Sequence, residues 1–546
     1  MEPVAVNNNA SEQKPVKTAN PLFPFMGIGS LIYAFFYTLF LYKNGSGITY
    51  PFFVGGTCLF FFCYLKKSGV TARKFSVFII ISLLLLGVST CLTDSWILIF
   101  FNKLAIFFLF FYLMLHNLYE DKKWDLPKYL GAIINITCTS ICYIFRPFSD
   151  FATFSKNKKM AEEKPESKGK YIIFGILIAL PLLLIILFLL GSADAVFGNI
   201  IGNMFSFEIN SHVWGISFLF FFAFFASYSI MCRISKHNIK EEVPDKRTAE
   251  PAIGITFTGI ISFVYLIFCY IQIVYLFGGF GTLPEDYTYA SYAREGFFQL
   301  VFVCLINLSL VLICVKRFRE SRLLKGILTF ISLCTYIMIA SSAYRMILYI
   351  QVYYLTFLRI FVLWALLVIF LLMTGAMVMI YNQNFPLVKY CLIVVTVFYL
   401  IFSFAHPDYW IARYNLDRGL SVSESIKAKD NGTYSSQTAF KDYSYLSKLS
   451  MDAAPVIFEK ADELGYGTGT AYSWWFKSYA SDMIRVSYGN NKPDLPVNSA
   501  GKECIPKKMS IRTFNFSRWT AYRCYTKFYL EHDTFAHQIN SSIYNL

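Results

Sequence analysis

Ionisable side chains gather in four short stretches that border long apolar segments of this chain. Guanidinium groups bind phosphate and carboxylate through paired hydrogen bonds, so arginines at the ends of apolar helices predict a pocket for an anionic ligand. Ionisable groups beside lipid are costly unless they are paired or hydrated, and a shared cavity would meet that need. The groups concerned are Asp194, Glu285, Asp286, Glu295, Asp408 and Asp417, with Arg294, Arg345, Arg359, Arg413 and Arg418.

We predict that the ligand-binding residues come from all four stretches. They are Asp194, Arg294, Glu295, Arg345, Arg359, Asp408, Arg413, Asn415 and Arg418. The adjacent pair Arg294 and Glu295 is the first choice, because it stands at the start of an apolar segment. The alternative is structural, since arginine and tyrosine at span ends are ordinary interfacial anchors and arginine–aspartate pairs can lock loops together without a ligand.

The motifs of the common catalytic classes are missing from the sequence. There is no Walker A loop, no GxGxxG after a strand, no HExxH and no GxSxG. The chain has only six histidines, and the one close cysteine pair, Cys138 and Cys142, lacks further ligands at metal spacing. No catalytic residue, metal site or cofactor is therefore predicted.

The elements that position these residues are membrane spans. Of the 546 residues, 56% are hydrophobic and 15% are charged, against about 25% charged in soluble proteins. The apolar residues form long uncharged blocks, which need lipid around them. The net charge is +15, but many of the cations lie in short loops between apolar blocks. That pattern indicates membrane orientation and argues against nucleic acid as a partner.

Eleven apolar segments are near the length that crosses a hydrocarbon layer of about 30 Å. They are 22–42, 50–65, 75–92, 95–116, 171–191, 213–232, 252–278, 297–315, 326–345, 357–381 and 386–405. Apolar periodicity in the tail predicts helices over 443–463, 469–486 and 514–530. The predicted fold class is all-α: a polytopic transmembrane helix bundle of about eleven spans with a small helical extramembrane C-terminal domain.

Lysine and arginine in alternate loops predict the orientation of the chain. The loops after the second, fourth, sixth and eighth segments are rich in both residues, whereas 93–95 and 192–212 contain neither. The positive-inside rule then puts the N-terminus in the cytoplasm, and an odd number of spans puts the tail and all four stretches outside the cell membrane. Residues 129–145 are apolar but flanked by Lys128 and Arg146, which predicts an interfacial or re-entrant helix. A full crossing there would reverse the parity.

Composition also predicts the division of the chain. It begins with a polar N-terminal tail and N-terminal transmembrane helices, followed by a charged linker, a transmembrane core and a helical extracytoplasmic domain. The corresponding ranges are 1–21, 22–145, 146–170, 171–405 and 406–546. Cys504 and Cys524 lie in the last of these, where an oxidising compartment would allow a disulfide. The alternative is two free thiols.

The four stretches resemble an uncharacterised family of polytopic bacterial membrane proteins, the domain of unknown function numbered 4173, with a close sibling numbered 4153. The resemblance lies in Ser-Ala-Asp at 192–194, TYASYAREGF at 288–297, YRMILY at 344–349 and PDYWIARYN at 407–415. It extends over most of the chain from about residue 170. His406 stands where the family pattern has asparagine. The resemblance implies a membrane protein and supplies no activity.

The resulting hypothesis is a non-enzymatic membrane protein. It would act as an envelope-associated sensor, regulator or accessory subunit with an outward-facing site lined by arginine and aspartate. Its expected partners are the lipid bilayer, an anionic lipid or lipid-linked ligand, and another membrane protein. The alternative is an enzyme acting on a lipid-linked substrate at the outer face, for which Asp94 is an acidic residue in an outer loop. A second alternative is a transporter, against which the chain shows no paired glycine- or proline-interrupted spans.

Overall fold

The computed structural model describes residues 22–162, 211–235, 247–277, 297–429, 445–463 without 447, and 511–531, together with isolated positions at 179, 183, 186, 190, 194, 476 and 479. Within these residues the regular secondary structure is helical, apart from one isolated pairing of Ala249 with Phe318. The prediction of an all-α bundle is therefore confirmed.

Fifteen α-helices lie in the described part of the chain, numbered here in order. They are α1 Phe23–Leu41, α2 Thr49–Lys67, α3 Ser76–Leu92, α4 Trp96–Leu118, α5 Leu126–Ser140, α6 Arg146–Glu162, α7 Ser211–Ile234, α8 Pro251–Ile271, α9 Phe297–Arg317, α10 Arg322–Tyr353, α11 Phe357–Tyr381, α12 Leu387–Phe404, α13 Pro407–Lys429, α14 Ala454–Glu459 and α15 Phe516–Glu531. A π-helical turn over Gln272–Phe277 continues α8.

Eight helices of the described part are long and apolar enough to cross a membrane: α1, α4 and α7 to α12. Helix α3 is apolar but has only 17 residues. Helix α2 forms over the second predicted segment and ends on Lys66 and Lys67, but it is not among the eight. The predicted segment 171–191 falls almost wholly outside the described residues. The chain is a multi-pass membrane protein.

The segment predicted as an interfacial or re-entrant helix is bent. Leu126–Tyr143 and Arg146–Ser155 meet at 57°, the geometry of a broken span or a re-entrant loop. Pro147 follows the bend, and proline cannot donate the backbone hydrogen bond that a continuous helix needs. Behind the bend, the Asp150 carboxylate accepts hydrogen bonds from Arg146 Nε at 2.9 Å and from the Tyr228 hydroxyl at 3.0 Å.

The chain divides into two compact units. The first comprises residues 1–43, 56–72 and 130–239, and the second comprises 44–55, 73–129 and 240–546. The second unit thus joins tail residues with α3, α4 and α8 to α12, whereas the sequence suggested a boundary at residue 405. The placement of residues 406–546 in a separate extracytoplasmic domain stays a prediction.

Helix α1 packs against α7 in the first unit. Arg233 is 6% exposed near the end of α7, and its guanidinium donates to Thr139 Oγ1 and Asn135 Oδ1, both at 2.7 Å. Neutral acceptors therefore hold this buried cation, which costs less than leaving it without hydrogen bonds.

Polar side chains join the spans of the second unit. Asn307 accepts from the Tyr265 hydroxyl at 2.6 Å and donates to Thr335 Oγ1 at 2.9 Å. Asn102 accepts from the hydroxyls of Tyr399 at 2.8 Å and Ser403 at 3.0 Å. Such bonds between helices help to fix their packing in lipid, where hydrophobic burial gives little driving force. Next to Asn102, the Lys103 side chain reaches towards the connection before α2, with Nζ 5.7 Å from the Tyr50 ring centroid.

The tail departs from the helix predicted over 443–463. Met451–Ala453 forms a 3₁₀ turn and α14 covers only Ala454–Glu459. Pro455 has no backbone N–H and therefore sits in the first turn of a new helix. Ser450 is extended and its N–H goes to a carboxylate outside the helix. The predicted helix over 514–530 is confirmed as α15, and the helix predicted over 469–486 lies outside the described residues except for 476 and 479.

Candidate functional site

Four short connections between helices of the second unit lie against tail residues. The Asn515 amide donates to the carbonyls of Ser46 and Thr93 at 3.0 and 2.9 Å. The Asn415 amide exchanges two hydrogen bonds with the backbone of Leu355. We call this region the tail junction; it comprises the connections 44–48, 93–95, 354–356 and 405–406 and the tail residues that contact them.

The Asp452 carboxylate is the centre of the tail junction. Asp452 is only 7% exposed, and its carboxylate accepts hydrogen bonds from Thr93 Oγ1 at 2.5 Å, from the Asp94 N–H at 2.9 Å and from the Ser517 hydroxyl. His406 Nδ1 lies 3.0 Å from Oδ2, the oxygen that also accepts from Thr93. Residues from three widely separated parts of the chain therefore converge on one buried charge.

His406 connects α12 to the tail through its backbone and its ring. Its φ is +48°, so it takes the left-handed conformation that commonly ends a helix, and glycine or asparagine adopts this conformation most readily. The imidazole is 30% exposed and bonds to a carboxylate that is 1% exposed. His406 is therefore the part of this pair that solvent can reach.

Asp408 lies in the first turn of α13, where the helix dipole favours a negative charge. Its carboxylate accepts from the Ser450 N–H at 3.1 Å and from the Ser450 hydroxyl at 2.6 Å. Burial raises the pKa of Asp408, and the Ser450 hydrogen bonds offset only part of the rise. A predicted site residue thus fixes the backbone that enters the Asp452 turn.

Asp94 and Asp452 have opposite pKa shifts although they are neighbours. Burial raises the pKa of Asp94, the Arg518 guanidinium 2.6 Å away lowers it again in part, and the negative Asp452 adds to the rise. Burial alone would raise the pKa of Asp452 too, but His406, Ser517 and Thr93 outweigh it, so that pKa falls below its ordinary value. Hydrogen bonds to Asp452 therefore favour its charged form more strongly than the Arg518 contact favours that of Asp94.

Gly47 allows the close approach of the tail to the connection before α2. A Cβ atom at this position would lie 2.5 Å from the Arg512 carbonyl oxygen, which is backbone and cannot move aside cheaply. The Asn44 amide donates to the same oxygen at 2.8 Å, and the Ile48 N–H donates to the Phe514 carbonyl at 2.8 Å. Glycine is therefore required for this contact.

Two of the predicted arginines bind groups of the protein. Arg345 is 6% exposed within the bundle and donates to Gln272 Oε1 at 3.1 Å, an oxygen that also accepts from Ser341. Arg359 donates to the carbonyl oxygens of residues 353 and 354 and stacks 4.3 Å from the Tyr349 ring centroid. A cation next to the last carbonyl groups of α10 stabilises the C-terminal end of that helix.

The predicted residues on α13 also contact protein groups. Arg413 pairs with Glu459 at 3.0 Å and Asp417 at 3.2 Å on the surface. Asn415 accepts from the Leu355 N–H at 2.8 Å and donates to the Leu355 carbonyl at 2.9 Å. Arg418 donates to the Tyr414 hydroxyl at 2.9 Å. These contacts match the structural alternative of the sequence analysis, while the ligand-binding role stays a prediction.

The remaining predicted residues are Asp194, Arg294, Glu295 and the two cysteines of the tail. Asp194 is exposed and belongs to the first unit, whereas Arg345, Arg359, Asp408, Arg413, Asn415 and Arg418 belong to the second. Arg294, Glu295 and Cys504 lie outside the described residues. Cys524 is half-buried against the tail core in α15. The disulfide between Cys504 and Cys524 therefore stays a prediction.

Sequence reasoning missed the centre of the site. Asp452, Ser517 and Arg518 are not among the predicted site residues, and Asp94 entered only as the acidic residue of an outer loop. Among the described residues, no three His, Cys, Asp or Glu side chains are arranged to hold a metal ion. The carboxylates of Asp94, Asp408 and Asp452 hold the junction together through hydrogen bonds and an ion pair.

The opposite end of the second unit carries positive charge. Lys316 Nζ lies 3.2 Å from Asp125, and Lys389 Nζ lies 5.6 Å from the Phe75 ring centroid, so neighbouring connections meet there. The cations of this end are Arg73, Lys74, Lys122, Lys123, Lys128, Arg247, Lys316, Arg317, Arg319, Arg322, Lys325 and Lys389. The connections 44–48, 93–95, 354–356 and 405–406 contain no lysine or arginine.

Comparison with known proteins gives one family. Its model is described as Domain of unknown function (DUF4153) and matches residues 80–459. The sequence analysis ranked the family numbered 4173 first and this one as its sibling, and the match corrects that order. No curated protein and no solved structure matches the chain. Because the match covers more than half of the 546 residues, the chain belongs to the DUF4153 family.

Proposed function

We propose that this membrane protein is a non-enzymatic sensor or regulator of the cell envelope and that the tail junction is its responsive element. The observation that carries the proposal is the buried Asp452 carboxylate, which holds three separate segments together. A half-open junction would leave a buried charge and several donors unsatisfied, which favours two discrete states, closed and open. An element with two states can convert a change in protonation or partner binding into a change in tail position.

The proposal assigns the tail junction to the extracytoplasmic side. The support is the distribution of cations among the connections between spans: those at the opposite end of the second unit are rich in lysine and arginine, whereas 44–48, 93–95, 354–356 and 405–406 contain neither. Short cytoplasmic loops carry the excess of lysine and arginine in membrane proteins. In this arrangement Arg359 holds a helix end next to the junction, and Asp408 and Asn415 are predicted residues that take part in it.

The thiol of Cys524 provides a direct test of tail position, because Cys524 lies on α15 and is half-buried against the tail core. Intact cells are treated with a membrane-impermeant maleimide, and labelled cysteines are located by mass spectrometry. We expect slow labelling of Cys524 in the wild type and at least tenfold faster labelling in Asp452→Ala, as about 1.4 kcal/mol of lost junction stability would give. Asp121→Ala, a buried aspartate at the opposite end, is the matched control and should leave the rate unchanged.

Two outcomes of the labelling experiment would overturn the proposal. Labelling that requires lysis would put the tail in the cytoplasm and overturn the orientation. Equal rates in the wild type and Asp452→Ala would remove the junction as a moving element. Mild reduction before labelling also tests the predicted disulfide, since a disulfide-bonded Cys524 reacts with maleimide only after reduction. A sensor further predicts that Asp452→Ala changes envelope gene expression differently from deletion of the protein, whereas a purely structural role predicts the same change for both.

An enzyme acting on a lipid-linked substrate is the second candidate. The observation that favours it is the convergence of Asp94, Asp408 and Asp452 with His406 at one end of the spans. Buried acids with raised pKa values are common where protons are transferred. Asp408→Asn separates the two candidates. An enzyme loses product formation while Cys524 stays protected, whereas a sensor keeps its output unless Cys524 becomes accessible.

A further inference from the structure

An apolar stripe on α4 marks the level of the lipid next to the tail junction. Trp96, Phe100, Leu104 and Phe107 follow one another at helical spacing and are 73, 56, 39 and 42% exposed. Exposed apolar residues on a span face hydrocarbon, and tryptophan is enriched at the boundary between hydrocarbon and headgroups. Trp96 is the first residue of α4. It therefore marks this boundary at the end of the stripe where the tail lies.

The tail segment before α15 is fixed at the same level. The Asn515 amide donates to the Thr93 carbonyl, three residues before Trp96, and the Ile48 N–H donates to the Phe514 carbonyl. On this segment Ile511 is 86% exposed and Phe516 is 46% exposed. These side chains continue the exposed apolar surface of the spans onto the tail, so lipid is the environment that would cover them.

Helix α15 changes from apolar to cationic along its exposed face. After Phe516 come Trp519, Arg523 and Lys527 at helical spacing, and the Arg523 guanidinium lies 4.9 Å from the Trp519 ring centroid. The opposite face of the helix packs into the tail core through Ala521 and Phe528. Arg523 lies about 10 Å beyond Phe516 along the helix. The headgroup layer extends about 5–8 Å beyond the hydrocarbon on each side.

We propose that Ile511, Phe516, Trp519 and Arg523 form a membrane-interface site that binds phospholipid. Ile511 and Phe516 contact acyl chains, Trp519 lies at the boundary, and Arg523 binds the lipid phosphate through paired hydrogen bonds. The bilayer is the occupant because the site continues the lipid-facing surface of α4. The inference goes beyond the sensor proposal and does not depend on it, since an interfacial tail segment serves an enzyme equally well.

Quenching by brominated lipids tests the site. The full chain is reconstituted in nanodiscs of phosphatidylcholine with phosphatidylglycerol, with plain or dibrominated acyl chains. The difference in emission between the wild type and Trp519→Phe isolates Trp519. Trp96→Phe gives the lipid-facing reference, and Trp124→Phe gives a reference for a tryptophan that is 4% exposed. We expect bromine to quench Trp519 as strongly as Trp96. Quenching as weak as that of Trp124 would overturn the site, and Ile511→Trp repeats the test if Trp519→Phe misfolds.

A charge reversal tests the phosphate contact. Arg523→Glu should shift Trp519 emission to longer wavelength and reduce its quenching at least twofold in anionic nanodiscs, because like charges repel. Lys527→Glu, one turn further along the same face, is the matched control and should change both quantities less. Equal effects of the two variants would exclude a specific contact. In maltoside micelles Arg523→Glu should change emission less than in anionic nanodiscs, because only its direct contact with the Trp519 ring is lost there. An effect of inorganic phosphate on the wild type in micelles would assign Arg523 to a soluble anion and overturn the lipid site.

Discussion

The two ends of the second unit each contain a buried aspartate that bonds to a histidine, and they use it differently. Asp121, at the basic end, accepts from His116 at 2.5 Å, Tyr129 at 2.6 Å and Arg73 at 2.9 Å. Its partners all come from residues 73–129. Asp452, in the tail junction, has partners at residues 93, 94, 406 and 517.

Because its partners are close in sequence, the Asp121 site holds neighbouring helices together. The Asp452 site instead holds the tail against distant parts of the chain, so the tail can detach from it. Breaking the Asp121 site requires separating helices that are consecutive in the chain. Breaking the Asp452 site requires only the tail to leave the ends of the spans. Solvent access follows the same division, because the side chain of His116 is 2% exposed and that of His406 is 30% exposed. The tail junction is therefore the end that can respond to the medium.

The largest expected effect is that of Asp452→Ala compared with Asp121→Ala. Removing one partner from a buried ionic network costs about 3–5 kcal/mol. We expect Asp452→Ala to release the tail at a lower urea concentration while the spans keep their helicity. Asp121→Ala should instead lower the stability of the bundle and leave the tail docked. Limited proteolysis of the tail in micelles, with circular dichroism on the same samples, measures the two processes separately.

Loss of both signals together in either variant would contradict the comparison, because it would mean that the tail and the spans unfold as one unit. Asp462→Ala is a control for removal of a tail carboxylate outside the junction, since Asp462 is exposed. It should leave the release of the tail unchanged.

The spans and the basic end could be predicted from the sequence because their signals are local. Apolar blocks and clustered lysines appear within a window of about twenty residues, which is the length of a span. The Asp452 site gives no such signal, since its side-chain partners lie up to 359 residues away from Asp452 in the chain and each is an ordinary serine, threonine or histidine on its own. The predicted arginine pocket stays a prediction, but its local signal does not show which protein groups the arginines contact. Arg345 and Arg359 stand close to span ends, but neutral oxygens within the protein were available to bind them.

The next effect concerns His406, which has a positive φ and bonds to Asp452. His406→Ala removes the donor to Asp452 and places alanine in a left-handed conformation, at a cost of about 2 kcal/mol for the two effects together. His406→Asn should be nearly neutral, because asparagine accepts this conformation and keeps an N–H donor. His406→Gly separates the two effects, since glycine relieves the backbone strain but, like alanine, does not replace the hydrogen bond to Asp452. Urea midpoints for tail release give the order, and equal destabilisation by asparagine and alanine would show that the ring itself is needed.

The pH dependence of tail release should have two opposing branches. The pKa of Asp452 is lowered, so its stabilising contribution is complete above the unfolded value of about 3.9 and is lost as the pH falls through the lower folded value. The pKa values of Asp408 and Asp94 are raised, so the stability of the closed junction declines as the pH rises from about 3.9 through their folded values. The urea midpoint for tail release should therefore be highest in mild acid. Asp408→Asn should weaken the decline towards neutral pH, and an unchanged decline would exclude Asp408 as its source.

The smallest effects separate the predicted site residues of α13. Asn415→Ala leaves the N–H and the carbonyl of Leu355 without their partner and should cost about 1–2 kcal/mol in tail release. Arg413→Ala removes only surface ion pairs, so its urea midpoint should equal that of the wild type, at low and at high salt. This pair bears directly on the two interpretations of the arginines. If Arg413→Ala leaves the midpoint unchanged but abolishes an envelope response, Arg413 binds a ligand after all, because its protein contacts contribute too little to explain the loss.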